Sequence, residues 1–329
     1  TGRQPGPSIQ GKPKRRWRYP TRDAVTSSPA VADGVVYVGS FDNHVYAIDA
    51  ATGKRKWRFA TGDDVSSSPA VVGGVVYVGS LDGRLYALDA ATGQERWRTR
   101  IGQVISAPTV EDGVVYVGSW DGNLYAIDAR TGDERWSFAT GAEVFSSPAV
   151  ANGVVYGGGI DGVLHAVDAI SGQEHWQRSI GSQYSSPAIV GGVVYVGSVN
   201  GRLYALEAAT GETRWRFATG ARIASSPAVV NGVVYTGSDD GNLYALDAAT
   251  GDKRWELATG GPIFSSPAVT ADTVYVGTLE GILLAVDVES GTQRWSVRIG
   301  DAVYSSPAVI DGVVYVGSDD RRLYAIGGS

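Results

Sequence analysis

Serine, aspartate and histidine are the residues of this chain that could do chemistry, as nucleophiles, bases or metal ligands. Serine pairs such as Ser67-Ser68 recur along the chain, but no base accompanies them at a fixed spacing, as nucleophilic catalysis requires. The three histidines, His44, His165 and His175, fall at different positions of a repeat, and scattered ligands do not predict a metal site. We therefore expect no catalytic residues and no metal.

The aspartates have a structural explanation. Asp-Gly pairs such as Asp82-Gly83 and Asp240-Gly241 follow the second strand of each repeat. Asp and Gly tolerate the positive φ of a tight type I′ hairpin. We expect such turns at these pairs, and a different turn shape at Asp320-Arg321, where glycine is missing.

Charge and cysteine content exclude several classes of function. The chain has 28 Lys and Arg against 34 Asp and Glu, a net charge of −6, and so lacks the positive field of a nucleic-acid-binding protein. It has no cysteine, which rules out disulfides and thiolate catalysis and leaves the redox compartment open.

The elements that position these residues follow from one repeat. Trp17, Trp57, Trp97, Trp136, Trp176, Trp215, Trp255 and Trp295 are spaced 39 or 40 residues apart. A period near 40 with four short strands per unit is typical of propeller blades. We predict an all-β fold, an eight-bladed β-propeller of four-stranded antiparallel blades.

Two features orient each blade. The second and third strands are apolar on both faces, as in Val75–Ser80, which predicts cover from a blade on each side. A proline such as Pro69 lies within the expected first strand, and proline cannot donate to a ladder. The Ser-Ser-Pro-Ala-Val segments should therefore form the inner edges that line the channel.

A family resemblance comes from the segment between strands three and four. Ala47 to Trp57, written A-x-D-x-x-x-G-x-x-x-W, resembles the tryptophan-docking motif of the quinoprotein (PQQ)-like propeller repeat family, and copies recur up to Trp295. The resemblance implies that each Trp docks on the next blade. From the residues alone, Asp49 should cap the turn before Gly53.

The two ends of the chain complete the ring. The eighth motif breaks off at Gly327-Gly328, so we expect the strand around Arg16 to Tyr19 to become the outermost strand of the last blade. We place the propeller at 17–329. Residues 1–16 hold five basic residues, no acid and three prolines, which predicts a flexible linker, with a basic segment beside a membrane as the alternative.

The resemblance also defines the functional alternatives. Family members include PQQ- and calcium-dependent dehydrogenases, a lipoprotein of the outer-membrane barrel-assembly machinery, and sensor propellers attached to kinases. This chain has neither the adjacent cysteines nor the catalytic insertion of many such dehydrogenases. We expect a monomeric scaffold or sensor without enzymatic activity or cofactor. A quinone-dependent dehydrogenase and a designed consensus protein are the alternatives.

The expected partner is a protein, a peptide or a small ligand, bound at one mouth of the channel. We also consider a membrane tether outside the chain, and we favour an extracytoplasmic location. Large aromatic residues break the repeat in the loop entering strand one and in the hairpin after strand two, and exposed aromatic clusters often mark recognition surfaces. They are Phe41, Trp120, Phe145, Tyr184, Phe264 and Tyr304. Hydroxyls of Ser27, Ser67, Ser106 and Ser146 should add hydrogen bonds, and the opposite face should be inert.

Overall fold

The chain forms a ring of eight antiparallel four-stranded sheets. The computed structural model describes residues 2, 4, 6–9 and 11–328, and the strands in this part number β1 to β32. In each sheet the strands follow chain order from the channel outwards, except in the last, whose order is β30-β31-β32-β1. This arrangement confirms the predicted eight-bladed β-propeller.

The first four blades have the following strands. Blade 1 contains β2 (Ala30–Ala32), β3 (Val35–Ser40), β4 (His44–Asp49) and β5 (Arg55–Ala60). Blade 2 contains β6 (Ala70–Val72), β7 (Val75–Ser80), β8 (Arg84–Asp89) and β9 (Glu95–Arg100). Blade 3 contains β10 (Thr109–Glu111), β11 (Val114–Gly118), β12 (Asn123–Asp128) and β13 (Glu134–Ala139). Blade 4 contains β14 (Ala149–Ala151), β15 (Val154–Gly158), β16 (Val163–Asp168) and β17 (Glu174–Ser179).

The last four blades repeat the pattern. Blade 5 contains β18 (Ala188–Val190), β19 (Val193–Gly197), β20 (Arg202–Glu207) and β21 (Thr213–Ala218). Blade 6 contains β22 (Ala228–Val230), β23 (Val233–Gly237), β24 (Asn242–Asp247) and β25 (Lys253–Ala258). Blade 7 contains β26 (Ala268–Val269), β27 (Thr273–Gly277), β28 (Ile282–Asp287) and β29 (Gln293–Arg298). Blade 8 contains β30 (Ala308–Ile310), β31 (Val313–Ser318), β32 (Arg322–Gly328) and β1 (Pro13–Pro20).

The core lies between the blades. Val75 and Tyr77 of blade 2 pack in one cluster with Val115 and Val117 of blade 3, because both faces of these strands are apolar. None of the described elements is a helix of the length and apolarity needed to cross a membrane.

The docking motif joins neighbouring blades as the resemblance implied. The Trp57 indole donates from Nε1 to the Ala90 carbonyl at 2.9 Å and lies on Gly93, where a Cβ would approach the ring to 2.6 Å. The same bond to the next blade is made by Trp17, Trp97, Trp136, Trp176, Trp215 and Trp255. Trp295 packs on Tyr275 with ring centroids 5.7 Å apart.

Aspartate caps the turn in this motif. Asp49 Oδ1 accepts the Thr52 N–H at 2.9 Å, as expected. In blade 2 the pKa of Asp89 is lowered to about 2, first by the Arg96 guanidinium at 2.8 Å and then by Thr92. A carboxylate stabilised in this way holds the turn that receives the neighbouring indole.

The N-terminal strand closes the ring. β1 pairs with β32 from Pro13↔Gly328 to Pro20↔Arg322, so the expected closure is confirmed. The strand begins at Pro13, four residues before the expected boundary at 17. The described residues before it bond to Val269 and Tyr275 of blade 7 and to Val309 of blade 8, unlike the flexible linker that was expected.

The inner strands are shorter than predicted. Pro69 and its equivalents precede the strand instead of lying within it, as β6 starts at Ala70. The inner strand is still the edge of its blade. It is short because the proline before it leaves a ladder of only two or three residues.

The type I′ turns lie elsewhere than predicted. Asp33 and Gly34, between β2 and β3, have φ of 50° and 70°, as a type I′ turn requires. At Asp82-Gly83 the glycine has φ of 84°, Asp82 is not among the positive-φ residues, and Gly83 N–H donates to Ser80 O at 3.3 Å. That is a type I turn followed by a left-handed residue, which suits a three-residue hairpin loop.

Arg321 adopts the left-handed conformation of the glycines at the same position. Its φ is 67°, and its N–H donates to Ser318 O at 3.2 Å, so the turn keeps the common shape and the expectation of another shape was wrong. Arg321→Gly should raise the free energy of unfolding by roughly 0.5–1 kcal/mol. The left-handed conformation penalises a Cβ by about 1–2 kcal/mol, and the greater flexibility of glycine in the unfolded chain offsets part of that gain. Urea denaturation measures this gain. Asn43→Gly should gain less, because asparagine tolerates its φ of 66°; equal gains would contradict the explanation.

Candidate functional site

The aromatic residues that break the repeat lie around one mouth of the channel. The hairpin after strand two is joined to the loop entering strand one by backbone bonds, Phe41 N to Ala24 O at 3.0 Å and Trp120 N to Gln103 O at 2.9 Å. Both sets of loops therefore share one rim.

Three of the six aromatic residues form a continuous surface. Trp120 and Phe145 have ring centroids 5.2 Å apart, and Phe145 and Tyr184 have centroids 5.0 Å apart. These rings, which we call the aromatic wall, run across blades 3, 4 and 5. Tyr184 is 43% exposed, so the wall combines packing between loops with an accessible ring.

A second, separate group lies on blades 6 to 8. Phe264 and Tyr304 meet edge to face at 5.4 Å, and the Arg222 guanidinium lies 4.8 Å from the Phe264 centroid. Arg222 also pairs with Asp239. Phe41 makes no ring contact with either group among the described residues. The mouth thus has two aromatic groups and not a complete circle.

The serines expected to serve the ligand are buried within the blades. Ser27, Ser67, Ser106 and Ser146 are at most 1% exposed. Ser106 Oγ donates to Gly118 O at 2.8 Å and accepts Gly118 N–H at 2.9 Å, and Ser27 Oγ accepts Gly39 N–H at 2.9 Å. Their hydroxyls tie the segment before strand one to strand two, and the Ser67 hydroxyl also donates to Ser106 O of the next blade at 2.8 Å. The expectation that they contact ligand was therefore wrong.

The second residue of each pair forms a ring around the channel. A backbone N–H of one blade donates to the hydroxyl of the next, as from Ser28 N to Ser68 Oγ at 2.8 Å, and Ser306 N to Ser28 Oγ at 2.9 Å closes the circle. The other acceptors are Ser147, Ser186, Ser226, Ser266 and Ser306. The ring is interrupted at Ala107, which has no hydroxyl.

Carboxylates lie at the same mouth, on the blades that the aromatic wall does not cover. Burial, followed by the charges of Asp301 and Asp23, raises the pKa of Asp319. Burial and the charge of Asp63 raise the pKa of Asp64. Asp23, Asp63, Asp64, Asp301 and Asp319 belong to blades 8, 1 and 2, and we call them the acidic arc.

The cofactor chemistry of the dehydrogenases does not fit this mouth. Pyrroloquinoline quinone is a tricarboxylate, and the acidic arc opposes its negative charge, while Arg222, one of the arginines at this mouth, is already paired with Asp239. Among the described residues, no group of three or more His, Cys, Asp or Glu could hold a metal ion.

Gln183 is a buried polar residue that the sequence analysis missed. It is 0% exposed, and neither amide atom has a hydrogen-bond partner among the described residues. Val or Ile stands at this position in the other blades, as at Val144 and Ile223. Burying an unsatisfied amide destabilises a fold, so this departure from the repeat is costly.

Gln183→Val should therefore stabilise the protein. Removing an unpaired buried amide is expected to raise the free energy of unfolding by about 1–3 kcal/mol, measured by urea denaturation. Val144→Gln, the converse change one blade earlier, should lower it. A loss of stability in Gln183→Val would mean that the amide is hydrogen-bonded in solution.

Comparison with known proteins agrees with the motif. The family described as outer membrane protein assembly factor BamB matches residues 12–65, 57–187, 161–266 and 259–328. No significant match was found among curated proteins.

Several solved structures share the fold. BamB from Moraxella catarrhalis has a TM-score of 0.84 at 21% identity, covering 96% of this chain and 100% of that one. The computationally designed Ika8 protein has a TM-score of 0.84 at 19% identity, covering 93% of this chain and 96% of that one. A europium-containing methanol dehydrogenase has a TM-score of 0.84 at 16% identity, covering 99% of this chain and 96% of that one. At these identities the likeness shows the fold alone.

Proposed function

Because the chain belongs to the outer membrane protein assembly factor BamB family of PQQ-like propeller repeats, we propose that it is a non-enzymatic scaffold that binds an extended protein or peptide segment at its aromatic mouth. The observation that carries the proposal is the aromatic wall. Aromatic side chains give large contact area at low entropic cost and dominate many recognition surfaces.

The charges of the mouth favour a basic ligand. The acidic arc lies on blades 8 and 1, across the channel from the aromatic wall, and on blade 2, next to the wall, and its carboxylates already repel one another. A Lys or Arg side chain of the ligand relieves that repulsion while an apolar side chain packs on Tyr184. The preferred ligand is therefore a peptide with one basic and one apolar anchor.

The test is a peptide-library selection followed by affinity measurements on variants. Tyr184→Ala, Trp120→Ala and Tyr304→Ala should each weaken the selected peptides, by about tenfold where an anchor is lost. Ile170→Ala is the matched control, since Ile170 is 89% exposed on the opposite face. Unchanged affinity in all three mouth variants would place the site elsewhere.

The enzymatic alternative has a direct assay. Its support is likeness to dehydrogenase structures at 16–18% identity, which shows the fold alone. Purified protein supplied with pyrroloquinoline quinone and calcium should give no dye-linked oxidation of alcohols or sugars. Sustained turnover would replace the scaffold proposal with an oxidoreductase.

A further inference from the structure

The N-terminal segment, residues 2, 4 and 6–9, lies at the channel end opposite the aromatic mouth. A Cβ at Gly6 would be 3.3 Å from Asp311 N, in the turn between the first two strands of blade 8. Ser8 and Ile9 are 4% and 6% exposed. The segment therefore runs under blade 8 towards the channel.

Backbone bonds hold the segment against the inner edge of blade 7. Val269 N–H donates to Gly2 O at 2.9 Å, and Gln4 N–H donates to Val269 O at 2.8 Å. Val309 N–H of blade 8 donates to Gln4 Oε1 at 3.3 Å. Val269 thus pairs with the segment through both its N–H and its C=O. This is the hydrogen-bond pattern of a strand that is added to a sheet edge.

The fold provides this edge in every blade. Thr270, next to Val269, bonds to Thr273 within the sheet, so Val269 directs its own N–H and C=O away from the sheet and into the channel. The equivalent residues are Val31, Val71, Val110, Val150, Ile189, Val229 and Val309. A cavity of about 400 Å³ adjoins Gln4 and is lined by Pro29, Ala30 and Ile310 among others.

Ile9 anchors the segment outside the channel. Its N–H donates to the Tyr275 hydroxyl at 2.8 Å, and its side chain packs with Tyr275 and Val309. In blade 6 the matching Tyr235 hydroxyl donates instead to Val288 O of the next motif turn at 3.4 Å. Blade 8 has no intact motif, and the segment occupies the space that this turn would fill.

We propose that this channel end is a binding site for an extended polypeptide segment, and that the chain's own N-terminal segment is its resident occupant. These contacts determine which peptide sequence the site accepts. A Cβ at Gly2 would lie 2.3 Å from Ala228 Cβ, so glycine is required there. Gln4 supplies an acceptor and Ile9 an apolar anchor. The site is separate from the aromatic mouth and its test is independent.

The experiment supplies the segment in trans. A variant lacking residues 1–9, which keeps all of β1, should bind a fluorescein-labelled peptide of residues 1–9 in an anisotropy titration. The full chain should bind it at least tenfold more weakly, because its tethered segment competes at millimolar effective concentration. Equal binding by the two proteins, or none by the shortened one, would overturn the proposal.

Matched variants identify the contacts. Tyr275→Phe in the shortened protein should weaken the peptide several-fold, and Tyr235→Phe, whose hydroxyl does not meet the segment, should not. A peptide with Gly2→Val should not bind. Equal affinities for the two tyrosine variants would show that the peptide binds another surface.

Hydrogen exchange on the full chain needs no truncation. The Val269 amide should exchange at least tenfold more slowly than the amides of Val71 and Val110, which face the channel across from the segment. Gly2→Val should remove that difference. Fast exchange at Val269 in the full chain would contradict an occupied site.

Discussion

Deletion of residues 1–20 should leave no stable folded monomer. The deletion removes β1, whose pairing with β32 extends from Pro13 to Pro20, and it exposes β32 as an unpaired edge. It also removes Trp17, which donates to Ala50 O at 2.9 Å and covers Gly53, so blade 8 loses its link to blade 1. Thermal melting by circular dichroism and size-exclusion chromatography would show loss of the cooperative transition, or aggregation.

Deletion of residues 1–9 is the matched control. It keeps β1 and should cost about 1.5–3 kcal/mol through the loss of the buried Ile9 side chain. Ile9 is only 6% exposed, so this shorter deletion should not be neutral. Equal melting temperatures for the two deletions would refute closure of the ring by β1.

The fold was predictable because the same pattern of short strands recurs eight times along the chain. A single docking motif is a weak signal, but eight tryptophans at spacings of 39 or 40 residues fix the number of blades and the end of each. The broken motif after Tyr324 and the position of Trp17 before the first motif then determine how the ring closes.

The errors came from local geometry that residue type does not determine. Asp-Gly suits a type I′ turn and also a type I turn followed by a left-handed residue. Loop length separates them: two residues join Ala32 to Val35, and three join Ser80 to Arg84, each pair being ladder partners. Counting from those partners would have placed both turns correctly.

The mouth was partly predictable for a similar reason. Trp120, Phe145 and Tyr184 stood out as departures from the repeat, and they lie together. The direction of a hydroxyl cannot be seen in a sequence, so the buried first serines were mistaken for ligand contacts. Gln183 departs from the repeat as clearly as Tyr184 does, and a search of buried positions would have found it.

Trp57→Ala should lower the free energy of unfolding by about 3–5 kcal/mol, the usual cost of truncating a buried tryptophan. Trp57 is 8% exposed, and its ring fills the space between Tyr37, 5.8 Å away by centroids, and Gly93 of the next blade. The truncation therefore opens a cavity and removes the bond to Ala90 O. Urea denaturation monitored by far-ultraviolet circular dichroism, instead of by tryptophan fluorescence, measures the loss.

Two variants separate packing from the hydrogen bond in this prediction. Trp57→Phe retains a ring on Gly93 but loses the Nε1 donor. It should cost about 0.5–1.5 kcal/mol, the net value of one hydrogen bond, because the Ala90 carbonyl still accepts the Tyr37 hydroxyl at 3.1 Å. Trp295→Ala should cost less than Trp57→Ala, because Trp295 faces blade 8, where the motif is broken and no Ala-x-Thr-Gly turn receives the indole. If all three changes cost the same, or if Trp57→Ala is tolerated like a surface substitution, docking of indoles on the next blade does not hold the ring together.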